Sequence, residues 1–166
     1  MNTEAIRDEL RDGSSLSLRR RRRIAALAAA GAVDFAIISL YQLGVIRHLP
    51  DPPANIFDSD KVNASTSAYR FGLPDGPLGL GQYGLALMLA GVGGSERTGR
   101  HPVFDLALAG VVTAGIAGAA SYLYEMVRYQ KRACAYCLIG AGLNFAMAPF
   151  AAGLVRSALR AWRRRS

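Results

Sequence analysis

Arg19-Arg20-Arg21-Arg22-Arg23-Ile24-Ala25-Ala26-Leu27-Ala28-Ala29-Ala30-Gly31-Ala32-Val33-Asp34-Phe35-Ala36-Ile37-Ile38-Ser39-Leu40-Tyr41-Gln42-Leu43-Gly44-Val45 sets five arginines against an apolar run whose only charge is Asp34. Crossing roughly 30 Å of hydrocarbon takes about 20 apolar residues in a helix, and Ile24 to Val45 meets that length. Two more runs do so, from about Leu106 to Tyr124 and from about Ala133 to Val155. Leu78 to Gly94 is uncharged but shorter and Gly-rich, and is read as a fourth span. The expected fold is all-α, an integral membrane four-helix bundle with spans at about 24–45, 77–94, 103–126 and 134–155. Residues 24–156 form the transmembrane domain, and 1–23 and 157–166 are basic tails.

Lysine and arginine flanks set the orientation, because they are retained in the cytoplasm. The five arginines before span one, Arg97 and Arg100 between spans two and three, and Arg156, Arg160, Arg163, Arg164 and Arg165 after span four all belong inside. The opposite segments carry fewer: Arg47, Lys61 and Arg70, then Arg128, Lys131 and Arg132. Both termini are therefore expected in the cytoplasm. The net charge of +8 reads as topology and attraction to anionic membrane lipid. It does not read as a nucleic-acid footprint, since the basic runs lack interleaved aromatics. The first apolar run exceeds a signal-peptide core and precedes no small-residue cleavage site, so it is expected to be a retained anchor.

Residues 1–18 form a short polar tail that allows a brief surface helix before the break at Asp12-Gly13-Ser14-Ser15. The long connection, 47–76, is expected outside. Pro50-Asp51-Pro52-Pro53 forces an extended exit from span one. Ser59 to Tyr69 is expected to form a short interfacial helix that ends before Phe71-Gly72-Leu73-Pro74. Residues 95–102 make a tight cytoplasmic turn.

Cys134-Ala135-Tyr136-Cys137 holds both cysteines of the chain, where span four starts. Residues three apart on a helix share a face, so the sulfurs can form a disulfide, with Cys134 nearer the surface and Cys137 nearer the lipid. A helix N-terminus also favours a thiolate. The same spacing serves as a structural staple or as half a metal site. Zinc is disfavoured, because the remaining candidates, His48 and His101, fall on opposite faces of the membrane. A pair at the lipid edge of an oxidising compartment suits thiol–disulfide exchange with a lipid-soluble electron acceptor, a quinone being the obvious one.

The pair, with Leu138-Ile139 after it, resembles the start of the fourth span in the vitamin K epoxide reductase family, whose bacterial members oxidise thiols and reduce quinones. Val62-Asn63-Ala64-Ser65, Tyr69-Arg70-Phe71-Gly72-Leu73-Pro74 with Leu78-Gly79, and Asp34 with Ser39-Leu40-Tyr41 extend the resemblance over most of the chain. It implies a bacterial cytoplasmic membrane, Cys134 and Cys137 as the redox pair on the outer side, and menaquinone or ubiquinone as acceptor. Headgroup contacts are expected from Ser65, Tyr69, Phe71, Gln82 and Tyr83. Ala141 stands where animal members place an aromatic.

The chain departs from the family in the external loop, where two further cysteines usually relay electrons from a thioredoxin-like protein. Ser59 occupies the second position, and the first falls near Pro53. An external thiol then reaches Cys134 directly, another subunit supplies the relay, or the fold serves as an accessory subunit of a larger membrane complex. Asp34 falls near the bilayer midplane, where an ionisable group is either functional or hydrogen-bonded to a neighbouring helix, with Asn144 a candidate partner. The small residues of span three, Ala107 to Ala120, read as helix packing.

Overall fold

The structure, a computed structural model, describes residues 3–164 apart from the side chain of Phe71. Its elements are α1 (Thr3–Asp12), α2 (Leu16–Gln42), α3 (Ser59–Asn63), a 3-10 segment (Thr66–Gly72), α4 (Asp75–Gly91), α5 (Arg97–Arg100), α6 (Val103–Glu125), a π turn (Met126–Gln130) and α7 (Ala135–Arg163). Among the described residues there is no strand, and a lone parallel bridge joins Phe57 to Ala133. α2, α6 continued by its π turn, and α7 are long and apolar enough to cross a membrane. α4 is 17 residues long, the shortest of the four that pack together.

Sequence dictates where α2 starts and stops. Ser15 caps it, its hydroxyl accepting from the Leu18 N–H, so the arginine run is already helical. Gly44 adopts φ +76°, and the Val45 and Ile46 N–H groups turn back to the Leu40 carbonyl. The helix ends there, three residues before the expected boundary.

α2 packs on α4 and α7, and α7 packs on α6. Ile24, Ala28, Tyr83, Leu108, Met147 and Leu154 form the shared core. Close approach depends on Gly31, where a Cβ would overlap the Tyr83 ring. The small residues of α6 serve helix packing at Ala109, in the core, and at Gly115, where a Cβ would overlap Asn144 and Gln82, and they have a second job. Gly110 and Gly118 have nothing within 4 Å of a built Cβ, and Ala114, Gly115, Gly118 and Ala119 wall a cavity.

The arginines read as topology signals also carry structure. Arg21, 1% exposed, donates to the carbonyls of Val92, Gly93 and Gly94. Arg97 donates to those of Leu89 and Val92 and pairs with fully buried Asp105. Two guanidiniums thus bond the Leu89 carbonyl in the last turn of α4 and three carbonyls just beyond its end.

The loop between α2 and α4 is pinned by its own acids. Asp51 accepts from the Ser59 N–H and hydroxyl, both at 2.6 Å. Asp60 accepts from the Leu49 N–H at 2.8 Å and faces His48 Nδ1 at 2.6 Å. Asp58 caps α3. The loop is then stitched to the α6–α7 connection, since the Asp58 N–H donates to the Ala133 carbonyl and the Ala133 N–H to that of Ile56.

Candidate functional site

Cys134 is not in α7 but caps it, with extended backbone (φ −109°, ψ 120°), while Cys137 lies in the first turn. The two form a disulfide with Cα atoms 5.2 Å apart. Cys134 Sγ accepts from the Cys137 N–H at 3.0 Å and from Asn63 Nδ2 at 3.3 Å. This is the position at which a helix start and a side-chain amide stabilise negative charge on sulfur. Asn63 is itself fixed by donating to the Ser59 carbonyl at 2.8 Å.

The two sulfurs differ in burial. Cys134 is fully buried beneath Val62, Met126 and the stitched loop, and its N–H donates to Met126 Sδ at 3.2 Å. The periodicity argument treats both residues as helical, whereas the cap turns the Cys134 side chain under the loop. Ser59, standing where the resemblance leads one to expect a cysteine, is also fully buried and accepts from the Ala135 N–H at 3.1 Å. It belongs to the covering of Cys134.

Cys137 instead lines a mainly apolar cavity of about 260 Å³ between α2, α4, α6, α7 and the loop. Of the residues expected around a headgroup, Ser65, Gln82 and Ala141 line it too. Tyr69 does not. It is 40% exposed, with its hydroxyl 3.4 Å from the Gln42 carbonyl. Tyr83 lies behind the wall, fully buried, donating to the Gly140 carbonyl at 2.6 Å and accepting from Asn144 Nδ2 at 2.7 Å. Asn144 therefore serves Tyr83, and Asp34 Oδ2 has no hydrogen-bond partner. The Phe71 side chain lies outside the described residues.

Several lining residues were not among those expected at the site: Asn63, Asp75, Tyr122, Gln130 and Asn144. One signal was available for Asn144, because Cys137, Ala141 and Asn144 follow the i, i+4, i+7 spacing of one helix face. Gln130 comes from the π turn, whose geometry periodicity does not anticipate. Its amide nitrogen donates to Ser65 and Ser67 at 3.0 and 2.9 Å. Gln42 ties the mouth together, donating to Asp75 Oδ1 at 2.6 Å and accepting from the Gly76 N–H at 2.8 Å.

Three buried polar atoms on this lining lack partners: Gln82 Nε2, Asn144 Oδ1 and Gln130 Oε1. A buried amide group without a partner costs about 1–3 kcal/mol, so such atoms mark where a ligand's polar groups are received. One free amide NH2 group and two free amide oxygens within apolar walls suit a ligand that carries both hydrogen-bond acceptors and donors.

No curated protein matches the chain. Residues 22–152 match the family model described as the vitamin K epoxide reductase family, a stretch that takes in α2, the loop, α4, α6 and the cysteine pair. With most of its length matched and membrane-crossing helices around the disulfide, the chain is a membrane protein that belongs to the vitamin K epoxide reductase family.

Proposed function

We propose that the protein is a membrane thiol–disulfide oxidoreductase in which Cys134 and Cys137 pass electrons from an external thiol protein to a quinone. Family membership supports the class of activity. The observation that carries the finer reading is the division of the pair, with Cys137 on the wall of the apolar cavity and Cys134 sealed on the other side under the loop.

An external dithiol reduces the Cys134–Cys137 disulfide by thiol–disulfide exchange, and leaves as its own disulfide. The reduced pair then returns two electrons and two protons as its disulfide reforms. A quinone bound in the cavity takes up both and departs as quinol. Asn63 and the Cys137 N–H hold negative charge on Cys134 sulfur, and the α6 glycines leave a flat wall for a ring. Gln82 Nε2 donates to a carbonyl oxygen of the acceptor, Asn144 Oδ1 accepts from a hydroxyl of the quinol, and the loop keeps water from Cys134.

In the same reading α4 is the second of four spans, both termini are cytoplasmic, and the cysteines lie on the outer side of a bacterial cytoplasmic membrane. The 1–23 and 157–166 segments are its basic flanks. Purified protein given a reduced thioredoxin-like protein and a quinone is expected to turn over, and Cys137→Ser to abolish turnover. A disulfide that stays oxidised in membranes whatever thiol is supplied, with no quinol formed, would overturn the proposal and favour an accessory subunit.

A further inference from the structure

Two amide side chains on the cavity wall are held so that only their oxygens are left for a ligand. Asn144, 4% exposed, donates through Nδ2 to the Tyr83 hydroxyl at 2.7 Å and to the Gly140 carbonyl at 3.3 Å. The Tyr83 hydroxyl gives its single proton to that same carbonyl at 2.6 Å, so toward Asn144 it can only accept. Turning the amide over would set Oδ1 against two oxygens with no proton to offer. Nδ2 is therefore fixed on Tyr83, and Oδ1 is left buried with no partner among the described residues. A Cβ added to Gly115 of α6 would overlap that oxygen, so the bare backbone there leaves it room.

Gln130 is held in the same way from the π turn. Ser65 gives its proton to the Val62 carbonyl at 2.7 Å, so at its 2.9 Å contact with Ser67 it accepts. With both serine protons committed, the two hydroxyl oxygens accept from Gln130 Nε2. Gln130 Oε1 is left buried and unpartnered among the described residues. Asn144 and Gln130 both line the cavity that Cys137 borders. Its wall thus presents two acceptors that cannot be turned into donors, against one free NH2 group, that of Gln82.

A quinone offers acceptors only. Seated here it is served by Gln82, and it leaves both fixed oxygens unpaired in a buried site, which is unfavourable. The quinol carries two O–H groups, and each can donate to a fixed oxygen. Given the proposed quinone chemistry, on which this rests, we propose that the cavity selects by redox state, with Asn144 and Gln130 making it bind the quinol more tightly than the quinone. The two electrons and two protons of the Cys134 and Cys137 thiols convert the weaker ligand into the tighter one as the disulfide closes. The selection draws the bound couple toward quinol and makes quinol the competitor of fresh quinone.

The full chain carrying Cys134→Ala and Cys137→Ala, which cannot exchange electrons with its ligand, tests this in detergent under anaerobic conditions. 2-Methyl-1,4-naphthoquinone and its quinol are titrated separately by calorimetry. The quinol is expected to bind about tenfold more tightly than the quinone. Asn144→Leu and Gln130→Met, each added to that parent chain, are expected to lower the ratio by about threefold or more, with quinol weakened and quinone unchanged or tighter. Equal affinities for the two forms in the parent chain would overturn the selection and leave the quinone reading standing. A ratio that neither variant changes would overturn the assignment to these two residues, even where both forms bind more weakly. Binding of neither form would remove the quinone reading and the selection with it. The variants sit on separate elements, so if a circular dichroism melt shows one misfolded, the other and the parent ratio still decide.

Discussion

Asn63 joins the loop to the redox pair, because one amide nitrogen serves both the Ser59 carbonyl and Cys134 sulfur. Asn63→Ala removes both bonds in a site 1% exposed. The loss is expected to lower stability by about 1–3 kcal/mol, as for other buried polar groups left unpaired, and to slow reoxidation of the reduced pair, read by stopped-flow quinol formation. Asp51 acts one step further out. Asp51→Ala removes both bonds that Ser59 makes to that carboxylate, and Cys134 in the reduced protein is then expected to alkylate at least about tenfold faster with a thiol reagent, an opening free energy lowered by roughly 1.4 kcal/mol. An unchanged labelling rate would mean that the seal on Cys134 does not depend on this carboxylate. At this scale the sequence was partly legible. The cysteine pair, Ser65, Gln82 and Ala141 were readable from motif and spacing, and all but Cys134 line the cavity. The burial of Cys134 was not readable, because it follows from a loop that returns from more than seventy positions away in sequence to cover it. Tyr83 was misplaced for a related reason. Its motif neighbours Gln82, but on a helix adjacent residues point about 100° apart, and Tyr83 turns into the core.

Among the elements, α6 is the one whose composition tells only half of its role, since Ala109 and Gly115 do pack against neighbouring helices. A stripe of small residues in a span suggests helices in close contact, yet Gly118 faces open space and belongs to the cavity wall. Gly118→Phe therefore puts a ring into the cavity without a backbone clash, and is expected to raise the KM for quinone by tenfold or more while the thermal melt stays near that of the wild type. A melt that collapses instead would show that the wall is packed rather than open. The end of α4 makes the opposite case. Arg97 and Asp105 are 2% and 0% exposed at their side chains, and removing one partner of such a pair leaves a buried charge. Arg97→Ala is expected to cost about 3–5 kcal/mol in unfolding by denaturant. Replacing Arg100, whose pair with Glu96 is largely exposed, is expected to change stability little, because exposed pairs contribute about 0–1 kcal/mol. A positive flank read from sequence states which side of a membrane it prefers, not whether its guanidinium has been drawn into the protein.

For the whole molecule, hydropathy located the long helices to within a few residues at most of their boundaries, since the length needed to cross hydrocarbon leaves little freedom. α4 is the exception. At 17 residues it covers about 26 Å, so as a span it requires a locally thinner bilayer or help from the residues before it. An impermeant maleimide applied to sealed inside-out and right-side-out vesicles checks the arrangement. A single cysteine placed at Ser95 in a Cys134→Ser, Cys137→Ser background is expected to react only from the cytoplasmic side, and one at Asn55 only from the outside.

Under the proposed activity, the covering over Cys134 has a consequence for the traffic of electrons. A sulfur open to solution would let any passing small thiol discharge into the membrane's pool of oxidant, a short circuit that does no oxidative work on proteins. A sulfur under a stitched loop can be reached only by a visitor that grips enough surface to peel the loop back, and a folded protein can supply that grip where a free tripeptide cannot. The covering therefore acts as a filter on the size of the electron donor.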